Sequence, residues 1–296
     1  MQRLVYSFLY PIIWIISKYP FWLLYFVSDT IFLILYYLIG YRKKVVYSNL
    51  KLVFPEKSDI EIKKITKKFY RHLCDMMLES IKTLSISEEE LKKRYVFTNV
   101  EEIHALENQN RSIILMCGHY ASWEWSFILQ KYINHKGYAV YKKIENKYFD
   151  RLIKRIRAKY NTHLITTKET IFTLGAEKSR GVLTINGFVA DQSAKHWKAH
   201  HWQEFMGIKV PVITGPEMLA KKLDMAVVFF AVKKIKRGYY QTTFKTLTVE
   251  ATKHPDFELT DTYLKLVEAQ IREEPAYYLW THKRWKYRDK VPQSFQ

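Results

Sequence analysis

Cysteine is nearly absent from this 296-residue chain, which carries only Cys74 and Cys117. Two cysteines so far apart cannot make the disulfide framework of a small secreted domain, and a reducing, cytoplasmic setting is expected for the main domain. Glycine is scarce too, at nine residues, and none of them falls in a GxGxxG or GxxxxGK[ST] run. The lack of these runs argues against dinucleotide and P-loop chemistry, which need backbone amides wrapped around phosphate. There is no internal repeat and no long linker. No helix-turn-helix, zinc-knuckle or aromatic-basic RNA motif occurs, so nucleic acid is not an expected partner. His196, His200 and His201 lie close together, but no carboxylate or cysteine completes a ligand set, and no metal is expected.

Acidic residues are the other shortage. Lys and Arg number 48 against 29 Asp and Glu, a formal charge of +19. Such an excess favours anionic partners: nucleic acid, an anionic membrane surface, or an acidic protein or lipid headgroup. Apolar residues make up 48% of the chain and aromatics 16%, ample material for a core.

The amino terminus selects the membrane among these partners. Residues 21–40, FWLLYFVSDTIFLILYYLIG, hold one charge, Asp29. That length is enough to span a bilayer core of ~30 Å. Pro20 suits the helix start, and Tyr36, Tyr37 and Tyr41 suit an interface belt. Arg42, Lys43 and Lys44 follow, which by the positive-inside rule turns that end to the cytoplasm. A mid-membrane carboxylate is costly, so Asp29 also fits the alternative of a buried core helix. Residues 4–16 form a shorter apolar run containing Pro11, of interfacial or re-entrant character or half of a short hairpin. The expected division is a membrane anchor over residues 1–45 and a catalytic domain over residues 46–296.

Beyond the anchor, Ser58 and Glu61 form a capping-box pattern, and apolar residues at helical spacing follow to about Leu84. Strand-length apolar runs then alternate with helical patterns. The predicted strands are 112–117, 137–141, 164–166, 181–185, 226–232 and 239–248. Predicted helices include 123–133, 146–160, 170–178, 211–223 and 259–273. This alternation implies an α/β fold with a mixed, largely parallel sheet flanked by helices.

The segment Gly118-His-Tyr-Ala-Ser-Trp-Glu-Trp125 directly follows the first long strand. Ligands of open α/β sheets lie beyond the carboxyl ends of the strands. On a straight helix His119 and Glu124 would point ~140° apart. They meet only if His119 sits in the strand-to-helix turn and Glu124 in the first helical turn. Glu124 would then orient one imidazole nitrogen and leave the other as a base. The spacing alone equally describes a structural pair.

The same segment resembles the first block of the lipid A secondary acyltransferases, with their H-x4-[DE] motif, which are related to the glycerolipid acyltransferases. Asn146 with Ile153-Lys-Arg-Ile-Arg157, then Val189-Ala-Asp-Gln192, Phe205-Met-Gly207 with Pro211 and Thr214-Gly215, and Tyr278-Leu-Trp-Thr-His-Lys-Arg-Trp-Lys286 resemble that family's later blocks in order. Ala121-Ser122 stands where the family usually has Gly-Asn. The resemblance implies a glycerolipid-acyltransferase-like fold. It also implies transfer of a fatty acyl chain from acyl-carrier protein to a hydroxyl of an anionic lipid A precursor, on the cytoplasmic face of the inner membrane and without a cofactor. His119 would be the general base, oriented by Glu124, with Arg157 stabilising the oxyanion. Asn146, Arg155, Asp191 and Arg284 would contact substrate. A lysophospholipid or aminolipid O-acyltransferase with the same dyad is the alternative enzyme, and a basic membrane-bound scaffold the non-enzymatic one.

Overall fold

The computed structural model describes residues 2–295. Its first part is helical: α1 (Gln2–Lys18), α2 (Phe21–Leu33), α3 (Lys43–Val53), α4 (Asp59–Lys82) and α5 (Glu88–Arg94). The chain then alternates through β1 (Tyr95–Phe97), α6 (Glu101–Asn108), β2 (Ile113–Cys117), β3 (Lys136–Tyr141), α7 (Lys147–Arg157), β4 (His163–Thr166), α8 (Thr170–Ser179) and β5 (Thr184–Val189). It closes with β6 (Trp202–Phe205), β7 (Ile208–Pro211), α9 (Gly215–Leu223), β8 (Ala226–Lys236), β9 (Tyr239–Thr248) and α10 (Glu258–Glu273).

One sheet runs in the order β1-β9-β8-β2-β5-β3-β4. Its one antiparallel pair is β8 with β9, so the expected largely parallel α/β architecture is what forms. Every residue of β2 is buried, as befits a central strand covered by helices on both faces.

Boundaries moved where local chemistry intervened. The strand expected at 181–185 begins instead at Thr184, because Gly181 at φ +70° terminates α8 first. The helix expected at 123–133 is a tighter 3-10 segment, Glu124–Lys131, in which the Ser126 hydroxyl donates to the Trp123 carbonyl at 2.6 Å. The helix expected at 211–223 starts at Gly215, since Pro211 ends an unforeseen hairpin of β6 and β7.

α2 continues through a wider π-helical turn, Ile34–Ile39, to Gly40 at φ +64°. Residues 21–39 are long and apolar enough to cross a membrane. This helix nevertheless lies along α4, antiparallel to it, through a ladder of contacts. The Lys82 ammonium sits over Phe21 at 5.5 Å, and the Tyr25 hydroxyl donates to Glu79 at 2.9 Å. Ser28 donates to Asp75 at 2.8 Å, and the Arg71 guanidinium lies 5.1 Å from the Phe32 ring. The rings of Tyr36 and Tyr70 are 5.4 Å apart, and Lys67 lies over Tyr37 at 5.7 Å. Asp29 is not bare: Arg237, at the β8–β9 turn, grips both its oxygens at 2.9 Å and also holds Asp75.

α4 starts with the expected capping box, Ser58 and Glu61 each bonding the other's backbone amide. Ser58→Ala is expected to lower stability by about 1 kcal/mol, read as a lower denaturant midpoint with an unchanged slope.

Candidate active site

Strand register brings the site together. Cys117 of β2 faces Val189 of β5 across the parallel pair. Two residues beyond each partner stand His119 and Asp191, which therefore emerge side by side. His119 Nδ1 lies 2.7 Å from Asp191 Oδ1, and the His119 amide donates to the same oxygen at 3.1 Å. Asp191 is wholly buried while the His119 side chain is partly open to a cavity. Burial pushes the Asp191 carboxyl up, yet the adjacent His119 ring and amide hold it below its ordinary value. With Nδ1 engaged, Nε2 is the nitrogen left for chemistry.

This corrects the expectation that Glu124 orients His119. Glu124 opens the 3-10 segment and turns to Arg157 at the end of α7. Arg157 Nε donates to Glu124 Oε2 at 2.9 Å, and Nη2 donates to Oε1, a bidentate clamp. The Glu124 charge raises the Arg157 guanidinium above its ordinary value against the opposing effect of burial. Arg157 and His119 both line the cavity.

The other residues singled out from sequence divide. Asn146 caps α7, accepting from the amides of Tyr148 and Phe149 at 3.0 and 3.3 Å, and does not line the cavity. Arg155 is exposed and reaches the Tyr10 hydroxyl at 3.4 Å, again away from the cavity. Arg284 is 0% exposed, so in this structure it touches no solute. It donates to the Pro211 carbonyl at 3.1 Å, lies over the Phe205 ring and supports the wall behind Asp191.

Two further supports hold the site, the first without a sequence signal and the second overlapping the Tyr278–Lys286 block. The Tyr263 hydroxyl of α10 donates to the Cys117 carbonyl at 2.7 Å and accepts from the Ala190 amide at 3.2 Å, so it ties together the two strand ends that present His119 and Asp191. The carboxyl-terminal segment pins the catalytic turn: the Leu279 amide donates to the His119 carbonyl at 3.0 Å and the Ala121 amide to the Tyr277 carbonyl at 3.0 Å. Gly118 is needed where it stands, since a Cβ there would meet the Val267 side chain at 3.0 Å. Burial pushes the Cys117 thiol well up from its ordinary value, which disfavours the thiolate.

The cavity has a volume of about 870 Å³ and runs from His119 between sheet and helices. Leu115, Phe127, Ile171, Phe188, Leu219 and Phe230 are among the apolar side chains that line it. A histidine base held by a buried carboxylate, at an apolar cavity of hydrocarbon character, is equipped to deprotonate a hydroxyl beside a bound acyl chain.

A sequence model described as bacterial lipid A biosynthesis acyltransferase matches residues 1–287. The chain belongs to this family. It is thus an acyltransferase. Similar proteins include a lipid A biosynthesis lauroyltransferase of Escherichia coli K12, 23% identical over 96% of this chain and 92% of that protein. A lipid A biosynthesis palmitoleoyltransferase of the same strain is 22% identical over 94% of this chain and 89% of its own length. A lipid A biosynthesis acyltransferase of Haemophilus influenzae is 23% identical over 86% and 81%. Against the family's usual Gly-Asn, Ala121 of this acyltransferase sits at φ +50°, in the left-handed region that favours glycine.

Ala121→Gly is therefore expected to stabilise the chain, by about 1 kcal/mol, seen as a raised unfolding midpoint. A second expectation concerns acid. Burial, with Lys286 and Arg284 beside it, pushes His282 down from 6.5 to about 4. Between those values the unfolded chain binds a proton that the folded chain does not, so stability rises with pH there. The contribution of His282 is complete above about pH 6.5 and is lost as pH falls towards 4. His282→Gln should flatten that part of the stability–pH profile measured by urea unfolding.

Proposed function

We propose that this acyltransferase moves a fatty acyl chain from acyl-carrier protein to a hydroxyl of a lipid A precursor, at the cytoplasmic face of the inner membrane. The observation that carries the reading is His119, backed by buried Asp191 and facing the apolar cavity. In this scheme the acyl chain fills the cavity and its thioester carbonyl lies at the mouth. His119 Nε2 takes the proton of the acceptor hydroxyl as that oxygen bonds to the thioester carbon. The resulting oxyanion collapses, the carbon–sulfur bond breaks, and the thiol leaves with the proton from His119. Asp191 positions the ring and favours its charged form during the proton's stay.

Arg157 and Glu124 act as a unit. Glu124 engages Nε and Nη2, leaving Nη1 of a cation at the cavity to meet the oxyanion. Several considerations support the chosen substrates. Lys147, Arg151 and Arg155 are exposed on α7, whose last residue, Arg157, lines the cavity, and they suit an acidic carrier protein. The anionic acceptor accounts for more of the +19 charge. The names of the similar proteins point to lipid A.

His119→Ala should abolish acyl transfer from acyl-carrier protein while leaving the fold intact by circular dichroism. Asp191→Asn is expected to lower kcat roughly 10²–10⁴-fold with little change in KM. Deleting the protein in its host and weighing lipid A by mass spectrometry tests the acceptor. Loss of one acyl chain supports the reading. Unchanged lipid A with altered phospholipids would move the activity to a phospholipid or aminolipid acceptor.

A further inference from the structure

α2 has two faces at four-residue spacing. Leu24, Ser28, Phe32 and Tyr36 are buried against the domain. Trp22, Phe26 and Leu33, on the opposite side, are exposed by half or more. α1 continues the exposed surface with Leu4, Phe8, Ile12 and Ile15. No part of the described chain covers these apolar side chains.

The edges of this surface are basic. Arg3 and Lys18 lie on α1, and Arg42 and Lys44 follow α2, all exposed. α4 adds exposed Lys63, Lys64, Lys67, Lys68 and Arg71. An apolar face bordered by cations matches one kind of surface, the hydrocarbon and phosphate layers of an anionic lipid leaflet.

How α2 meets that leaflet follows from its partner. From Phe21 to Tyr37 it is fastened to α4, from Lys82 back to Lys67, by the contacts already described. If α2 crossed the bilayer, α4 would cross with it. Lys67, Lys68 and Arg71, exposed on α4, would then sit in hydrocarbon, as would the Arg237 turn that holds Asp29. Charges at that depth are costly unless they face protein or water. A helix lying in the plane avoids this, because α4 and the Arg237 turn stay out of the lipid and only the Trp22–Phe26–Leu33 stripe enters it.

We infer that α1 and α2 lie in the plane of a single leaflet, apolar face down, so that both ends of α2 remain on the side of the catalytic domain. This rests on the membrane location proposed above and specifies its geometry. It also explains why α1 touches α7: Tyr6 stacks on Tyr148 at 5.4 Å and meets Phe149 edge-on at 5.6 Å. The leaflet surface is thereby held beside the helix that delivers Arg157 to the cavity.

Cysteine labelling tests the inference in inside-out membrane vesicles from cells producing the full chain. Cys74 and Cys117 are buried, so the unaltered protein serves as the unlabelled control. Lys18→Cys and Lys44→Cys should both react with a membrane-impermeant maleimide, and Phe26→Cys should react only after detergent is added. Reaction at Lys44→Cys with protection at Lys18→Cys would mean that α2 crosses the bilayer. That result overturns the in-plane geometry and leaves the membrane location standing. Reaction at Phe26→Cys in intact vesicles would overturn it as well. Recovery of the chain apart from the vesicles, in low-salt buffer without detergent, would remove the membrane location itself.

Discussion

Two parallel strands in register hold this molecule's chemistry in place. β2 and β5 pair residue for residue up to Cys117 and Val189, and the chain leaves both at the same height. The proposed catalytic pair inherits that alignment. A slip of one residue would flip each side chain to the other face of the sheet and separate the imidazole of His119 from the carboxylate of Asp191. Tyr263 fixes the alignment at the strand ends, and the burial of Asp191 makes the contact strong in a low-dielectric setting.

The α/β architecture was legible because its main strands are long apolar runs between helical patterns. Six of the strands left such marks. β1, β6 and β7 did not, being three or four residues long and lacking a sustained period. The two clamps of the site were legible only in part. His119, Glu124, Arg157 and Asp191 each stood out as residues, but their pairing did not. Glu124 is close to His119 in sequence, whereas Asp191 is close in space, and only the strand order converts one kind of nearness into the other. Asn146 and Arg284 show the converse. Their residue types suit substrate, yet one is consumed in capping α7 and the other is sealed inside the core.

The charge of the chain also takes on structure. Read from composition, +19 is a diffuse attraction to anything anionic. In the fold, part of it borders the apolar face of α1 and α2, part lies exposed on α7, and part is spent internally, as where Arg237 neutralises Asp29 and Asp75. The carboxylate that looked out of place in an apolar helix is the attachment point of that helix to the domain.

The carboxyl-terminal segment has a bearing on the order of events during synthesis. Tyr277, Tyr278 and Leu279 grip the backbone from His119 to Ala121, and Asn49 of α3 in turn holds the carbonyls of Trp280 and His282. The turn that carries His119 is translated well before the strap that secures it. A nascent chain can therefore assemble its sheet and sequester its apolar surface before this turn is secured. The His119 turn gains these backbone partners only once residues 277–279 fold back across the strand ends.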